Sequence, residues 1–524
     1  MPRMISTMQA GCKITCKPLM PQFSTILVVL SLFMGSIWAQ EGHDHGAPEQ
    51  LGKVSFATSC SPAVQAEFQR GVALLHSFAY SAAESTFREV AEKDPGCAMA
   101  HWGIAMSYFH QLWEPIAAAN LSLGHQELQR AQQIGGGSAR EREFIAALAL
   151  VYATDDNASY ATKTQHYAQA MQKLAADNPT DVESQVFYAL ALLGTASLSD
   201  KTHANQKRAV AILAPLYAKY PQHPGLAHYM IHACDNAEMA SQGLPAAQAY
   251  AKIAPSAPHA LHMPSHIFTR LGMWDDSIAS NVASQAAAAQ HGDTGEELHA
   301  MDYLVYAYLQ TGREAEAAQV IAQLKTIPGV SHSDFKAGYS DTAMPVRYAV
   351  ERKDWAAAAA IAPPPSTAPA QVIAIAVWAR GLGLARTGHP DKAGALIATL
   401  MQLQQQLQAA GRDYWAGQVA IQTMEVLAWT AQAEGKSQDA VALLRQAANT
   451  EDAVEKSPAT PGPIVPAREQ LGELLLQLNQ PQAALKEFQV SLQNAPGRRG
   501  SITGAARAAQ LASEAPSPAA KPGG

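Results

Sequence analysis

The sequence predicts an all-α protein, built as an array of antiparallel helix pairs. From about Val64 onward, helix-length segments rich in Ala, Leu and Gln alternate with short stretches of Gly, Pro, Asn or Asp. No convincing run of alternating β-branched residues is present, so strands are not predicted. One set of residue spacings occurs twice, which indicates an internal repeat.

The repeated spacing links a small residue, an alanine, an aromatic residue and a proline, separated by 12, 4 and 8 residues. A small residue lets two helices approach closely, and the aromatic ring fills the gap to the next unit. Similar segments surround the helix–helix turns at residues 271–281, 311–321, 387–397 and 434–444. The two matching sets are Gly71, Ala83, Phe87 and Pro95, and Gly472, Ala484, Phe488 and Pro496.

This pattern resembles the tetratricopeptide repeat (TPR) family, whose units are about 34 residues long. The resemblance covers about residues 60–500 and implies a right-handed superhelical solenoid instead of three or four separate domains. Proline clusters at 363–365 and 458–466 are candidate interruptions. We therefore predict one solenoid segment over 61–362, a second over 366–512 and a disordered tail over 513–524.

The N-terminal 39 residues have the layout of a secretory signal peptide. The apolar run from Ile26 to Ala39 has about 14 residues, fewer than the roughly 20 needed to span a bilayer. Lys13 and Lys17 precede it, as is typical of a signal that is cleaved near Ala39. We expect an exported protein, periplasmic or extracellular, with no membrane span after cleavage; an uncleaved anchor is the alternative.

Residues 40–60 are expected to form a flexible segment. It contains His43 and His45, a pair that can bind copper or zinc, although a solvated tail is the preferred interpretation. Cys60 and Cys97 bracket one predicted helical hairpin, so we predict a disulfide between them. Cys234 is then left as a buried thiol.

Composition excludes some classes of protein and draws attention to histidine. Lys and Arg total 37 against 44 Asp and Glu, a formal net charge of −7, so nucleic acid is not expected as a partner. The 18 histidines are unevenly placed. His228 and His232 align with His262 and His266 at an offset of 34, the repeat length. Within each pair the histidines are four residues apart, on one helix face.

The resemblance implies that the first helix of each unit lines the concave groove. Counted back from the turn residue Gly272, three histidines of one unit occupy groove positions. The offset of 34 residues places two histidines of the preceding unit at equivalent positions. Counted back from Gly312, the next unit contributes further candidates, either as ligands or as partners that hydrogen-bond to the ligands. The predicted metal ligands are His228, His232, His259, His262 and His266, with His299, Asp302 and Tyr306 as the additional candidates.

A Met-Pro pair falls within this histidine register. Pro264 predicts either a helix start near His262 or a bend at the cluster. The pair recurs 81 residues later, where Ala343 and Arg347 take the places of His262 and His266. The bend is thus shared by two units, whereas the histidines belong to one.

Three functions compete on this evidence from the sequence. The first is binding of a transition metal, with zinc or copper preferred because imidazole suits both. The second is a metal-free scaffold that binds a protein or peptide in the groove. The third is a metal-dependent hydrolase or oxidoreductase, with Asp302 or Tyr306 assisting proton transfer. HExxH, P-loop and nucleophile-elbow motifs are absent from the sequence.

Overall fold

A computed structural model describes residues 49–113, 115–154 and 158–514. These residues form helices and no strands, which confirms the predicted all-α class of helix pairs. None of the helices within these ranges is long and apolar enough to cross a membrane. The predicted signal peptide, His43 and His45 lie outside the described residues, as does the tail beyond residue 514.

The N-terminal half begins with a 3-10 helix, Pro62–Val64, followed by short and medium helices of five to 18 residues. They are α1 (Gln65–His76), α2 (Tyr80–Lys93), α3 (Ala98–Ser107), α4 (Ala118–Ile134), α5 (Ala139–Ala149), α6 (Tyr160–Asp177), α7 (Val182–Gly194), α8 (Ala204–Lys219), α9 (Pro224–Cys234), α10 (Ala240–Ile253), α11 (Pro258–His262) and α12 (Pro264–Leu271).

The C-terminal half continues the same alternation of helices and short turns. Its helices are α13 (Trp274–His291), α14 (Thr294–Gln310), α15 (Glu314–Leu324), α16 (Phe335–Glu351), α17 (Trp355–Ala359), α18 (Ala370–Arg386), α19 (Pro390–Ala409), α20 (Asp413–Ala433), α21 (Ser437–Asp452), α22 (Ala467–Gln477), α23 (Pro481–Asn494) and α24 (Arg499–Glu514). The loop between α17 and α18 contains the predicted boundary between the two solenoid segments, and α24 extends two residues into the predicted tail.

The repeated glycine and phenylalanine have a direct packing role. Phe87 is fully buried, and a Cβ atom added at Gly71 would lie 2.7 Å from its ring. A Cβ at Gly103, on the next helix, would lie 2.5 Å away. Both distances are shorter than real Cβ contacts, so glycine is what allows helices α1 and α3 to close on the aromatic side chain. Gly472 has the same relation to Phe488 in the C-terminal unit.

Each helix packs on its neighbour in the chain, and the first helices of successive pairs also touch one another. In this way α9, the segment formed by α11 and α12, α14 and α16 form one continuous inner layer. The inner layer is closed at one side by α1, which packs against α9 although the two are far apart in sequence. This contact brings the C-terminal end of α1 to the histidines on α9.

The segment before α1 is held against the helices, in contrast to the flexibility expected for residues 40–60. Lys53 N donates a hydrogen bond to the carbonyl oxygen of Gln222 (2.8 Å), and the Phe56 side chain is fully buried. Cys60 and Cys97 are joined in a disulfide with their Cα atoms 4.8 Å apart. The flexible interpretation is therefore wrong for residues 49–60, because this stretch supplies core side chains.

A loop from the C-terminal half, residues 453–466, crosses to the inner face of α9 and α14. Glu455 N donates to the carbonyl oxygen of Leu198 (2.7 Å), and the Lys456 ammonium group binds the Asp235 carboxylate (2.7 Å). The Tyr303 hydroxyl donates to the carbonyl oxygen of Thr460 (3.1 Å). The proline-rich cluster predicted as an interruption thus covers the inner layer beside the histidines.

Candidate metal centre

Three neighbouring helical segments bring six histidines together. Helix α9 carries His228 and His232, and α14 carries His299. The middle segment is broken at Met263 into α11 and α12, since Pro264 cannot continue the hydrogen-bond ladder. Met263 keeps helical backbone angles (φ −53°, ψ −35°), so His259, His262 and His266, spaced three and four residues apart, stay on one face of the segment. The equivalent proline of the later unit, Pro345, lies inside α16, which is continuous.

The first group consists of His228, His232 and His259. One ring nitrogen from each lies within 4.8 Å of those of the other two. All three Nε2 atoms are buried and lack a hydrogen-bond partner. His228 Nδ1 donates to the backbone carbonyl of His76 (2.6 Å), and His259 Nδ1 lies 3.3 Å from the Glu296 carboxylate. Those acceptors hold the protons of His228 and His259 at Nδ1, so the Nε2 lone pairs face inward.

The second group consists of His262, His266 and His299, again with ring nitrogens within 4.8 Å. His262 Nδ1 donates to the Asn281 side-chain oxygen (2.7 Å), and His266 Nδ1 donates to Asp235 (2.9 Å). Their Nε2 atoms are only 3.0 Å apart, with no proton left to join them in the neutral rings. His299 Nε2 is buried without a partner. Three inward-facing nitrogens therefore converge here as well.

The two groups adjoin without an intervening layer of protein. The ring centroids of His232 and His266 are 6.0 Å apart, and those of His259 and His262 are also 6.0 Å apart. Centroid separations within the groups run from 4.4 to 6.5 Å, so the six rings surround a shared interior. Trp113 contacts both groups, at 5.7 Å from His259 and 5.9 Å from His299.

Burial keeps five of these imidazoles neutral. It lowers the pKa of His228, His232, His262 and His299 well below the ordinary value, and the neighbouring histidines lower it further. Burial likewise lowers the pKa of His266 to about 4, although hydrogen bonding to Asp235 opposes the shift. A neutral imidazole is the form that binds a metal ion, so these side chains need not lose a proton first.

Two carboxylates support the centre from outside. Burial alone would raise the pKa of Asp235, but Lys456 and Arg270 bring it well below its usual range. The Arg270 guanidinium donates to the same carboxylate at 2.9 Å. On the other side, Lys336 forms an ion pair with Glu296. A carboxylate behind a histidine fixes the tautomer and ring orientation, as is usual for metal-ligating histidines.

The structure brings some of the residues predicted from the sequence to the histidine centre and directs others away from it. All five predicted ligands and His299 meet at the centre, but as two groups of three instead of one cluster. Asp302 does not face the histidines, because Arg347 on α16 binds its carboxylate (3.1 and 3.3 Å). The Tyr306 hydroxyl accepts from the Arg498 guanidinium (3.4 Å) and is likewise turned away. The expectation that Asp302 and Tyr306 support the metal is corrected on this geometry.

Residues that the sequence did not single out complete the surroundings. Asp235, Asn281 and Glu296 hold the histidine Nδ1 atoms, and the Tyr303 hydroxyl lies 3.4 Å from His266 Nε2. Tyr303 had one available signal, since it is four residues after His299 on the same helix face. Asp235 directly follows α9, Asn281 lies on α13 and Glu296 lies on α14. Each therefore belongs to a different segment from the histidine whose Nδ1 it binds, and sequence spacing does not predict these contacts.

A third buried histidine group differs from the other two, because its ring nitrogens already have hydrogen-bond partners. His76 Nε2 and His223 Nε2 lie 2.9 and 3.0 Å from the two oxygens of Glu183, and His76 Nδ1 lies 3.0 Å from the Tyr229 hydroxyl. Burial alone would raise the pKa of Glu183, but His223 and His76 lower it. Because these ring nitrogens already have partners, the group is a structural network that anchors α1 to α7 and α9.

A cavity of about 170 Å³ lies on the other side of loop 453–466. Aromatic side chains form much of its wall, including Trp378, Tyr414 and Trp415. Arg270, Lys456 and Thr460 also line it, and these residues separate it from the histidine centre.

No protein-family model and no curated protein sequence matches the chain. Solved structures with similar folds include the P58(IPK) TPR domain, at 10% identity and a TM-score of 0.23. That likeness covers 86% of this chain and 99% of the other. Human IFIT1 with m7Gppp-AAAA has 11% identity and a TM-score of 0.36, covering 79% and 90%. Yeast Tom70 has 10% identity and a TM-score of 0.33, covering 86% and 88%.

Proposed function

We propose that the two histidine groups bind two transition-metal ions, one in each group, with copper or zinc as the metal. The facing Nε2 atoms of His262 and His266 carry this proposal. Two imidazoles bound to one ion through bonds of about 2.0 Å at a tetrahedral angle have nitrogens about 3.3 Å apart. The observed 3.0 Å is close to that value, whereas two lone pairs at this distance repel each other without an ion.

The unpartnered atoms of the first group support the same proposal. A buried nitrogen without a hydrogen bond costs about 1–3 kcal/mol, and His228, His232 and His259 each present one. Buried polar groups without a partner are rare in native cores. Here one ring nitrogen of each of the three histidines lies within 4.8 Å of the other two, which is the arrangement expected of a site that a cation fills.

The test is metal stoichiometry on the intact chain, purified without a histidine tag. The protein is stripped with chelator, loaded separately with zinc and copper, dialysed and analysed for metal. We expect two ions per chain. The pairs His228→Ala/His232→Ala and His262→Ala/His266→Ala should each retain one ion, while the exposed-site control His166→Ala should retain two. Circular dichroism checks that each variant is folded.

A single ion shared by the six histidines makes a different prediction. The loading curve would then end at one ion, and either double substitution would abolish it. Binding of no ion by the folded wild-type chain, or equal loading of all three variants, would overturn the proposal.

We also propose that the protein acts outside the cytoplasm and binds a protein or peptide in its concave groove. The disulfide between Cys60 and Cys97 supports export, since such bonds persist in oxidising compartments. A groove partner would have to bind beside loop 453–466 or displace it, because this loop covers the inner layer near Tyr303. Cell fractionation and partner capture with and without chelator test these two points; cytoplasmic recovery would contradict the first.

A further inference from the structure

The charge around the histidine centre sets a condition on which metal can occupy it. In each group the inward-facing donors are neutral imidazole nitrogens, with no thiolate and no carboxylate among them in the described residues. The nearest carboxylates, Asp235 and Glu296, bind from the Nδ1 side of the rings. Both are already balanced by cations, Asp235 by Arg270 and Lys456 and Glu296 by Lys336. The shell therefore supplies little negative charge to a pair of buried ions.

Two ions in adjoining groups repel each other in proportion to the product of their charges. Two dications repel four times as strongly as two monocations at the same separation, and burial strengthens the effect because water is excluded. Among the metals that imidazole suits, copper is the one with a stable monovalent form. The structure thus favours two copper(I) ions in the resting centre.

We propose that the two groups hold a pair of copper(I) ions that together bind and reduce dioxygen. This inference rests on the proposed function, and it names the metal and the ligand of the same site. Each copper(I) gives one electron and becomes copper(II), and dioxygen takes up both electrons to become a peroxide dianion between the ions. No proton is needed, and the O–O bond order falls from two to one.

Charge balance favours this step in a shell without anionic ligands. The two ions gain two positive charges on oxidation, and the peroxide brings two negative charges to the space between them. The net charge of the buried centre is unchanged, so the reaction avoids the electrostatic cost that oxidation of either ion alone would carry. A zinc pair cannot take this step, because zinc(II) has no electron to give to dioxygen.

Aromatic side chains pack against the histidines of the centre. Phe78 stacks on His232 and His259 at 5.6 and 5.4 Å and contacts His228 at 4.4 Å. Trp113 covers the other edge, and His232 is the one ligand of the six with more than marginal exposure. Aromatic rings therefore flank the histidines on two sides, and these apolar surroundings are compatible with dioxygen, a small apolar molecule.

The experiment uses the full chain loaded anaerobically with two equivalents of copper(I). On addition of dioxygen, an oxygen electrode should record one dioxygen consumed per two copper ions. X-ray absorption at the copper edge should show conversion of copper(I) to copper(II). His232→Ala and His299→Ala each remove one ligand from a different group, so each variant should lose most of the dioxygen uptake. His166→Ala, with an exposed histidine, is the matched control and should react as wild type does.

Two results would overturn the inference while leaving metal binding intact. One is a chain with two copper(I) ions that takes up no dioxygen. The other is displacement of copper(I) by an equal concentration of zinc. A chain that binds no metal would instead remove the proposed function beneath it, so the two failures are distinguishable by elemental analysis of the same sample.

Discussion

Replacing Asn281 with leucine tests how the second histidine group is held. The Asn281 side chain is fully buried on α13, and its oxygen accepts the His262 Nδ1 proton at 2.7 Å. Its amide group donates to the carbonyl oxygen of Ser277 (2.8 Å). Asn281→Leu keeps the volume and removes the acceptor. His262 can then move its proton to Nε2, which is the atom proposed to bind the ion.

The size of the effect follows from these contacts. Loss of a hydrogen-bonding partner behind a ligating histidine lowers metal affinity by about 10- to 100-fold, which is about 1.4–2.7 kcal/mol. Stability of the metal-free chain should fall by about 1–3 kcal/mol, because a buried N–H group is left without an acceptor. The first group does not contact Asn281, so its affinity should be unchanged.

The assay is a competition titration against a chelator of known affinity, which resolves the two binding steps. We expect one step to weaken and the other to remain. Gln470→Met is the matched control: this buried glutamine bonds Trp429 and Glu425 far from the histidines, and its replacement should cost stability alone. Equal weakening of both steps, or no change in either, would refute the assignment of Asn281 to the second group.

Three further predictions concern stability. Burial lowers the pKa of His228, His232 and His262, so the unfolded chain takes up their protons first. The metal-free protein should therefore lose stability as pH falls below about 6.5, by up to about 1.4 kcal/mol per pH unit for each histidine. Denaturant titrations between about pH 8 and 5.5 measure this, and a flat profile would contradict it. Phe87→Ala should destabilise the chain by about 3–5 kcal/mol, because the ring fills the space left by Gly71 and Gly103. Chemical denaturation measures this change, and a loss of stability below about 1 kcal/mol would contradict the prediction. Cys60→Ser should lower the free energy of unfolding by about 2–4 kcal/mol relative to oxidised wild type, and the two proteins should be equally stable once the wild type is reduced. Equal stability of the oxidised wild type and the variant would count against the prediction.

The repeat spacing was enough to predict the all-α class and the helix pairs. Gly71 and Phe87 are 16 residues apart, and the structure shows that this spacing places a missing Cβ against an aromatic ring. Helical periodicity also predicted that histidines four residues apart share a face. Such relations are local, or recur at a fixed offset, so the sequence alone contains them.

The parts of the site that the sequence did not predict depend on contacts between segments that are far apart in the chain. Asp302 occupies a groove position by register, yet Arg347 from the next unit takes its carboxylate. Arg347 is the residue that replaces His266 in its own repeat, so the same position holds a histidine in one unit and an arginine in the other. The division of six histidines into two groups depends on how α9, the α11–α12 segment and α14 pack together, which periodicity does not give.

The most direct test is an anomalous difference map from crystals of the copper-loaded chain, collected on both sides of the copper absorption edge. We expect two peaks in adjoining positions, one within bonding distance of the Nε2 atoms of His228, His232 and His259. The second should lie within bonding distance of those of His262, His266 and His299. A single peak shared by all six rings, or peaks at other residues with these Nε2 atoms unoccupied, would contradict the two-ion centre.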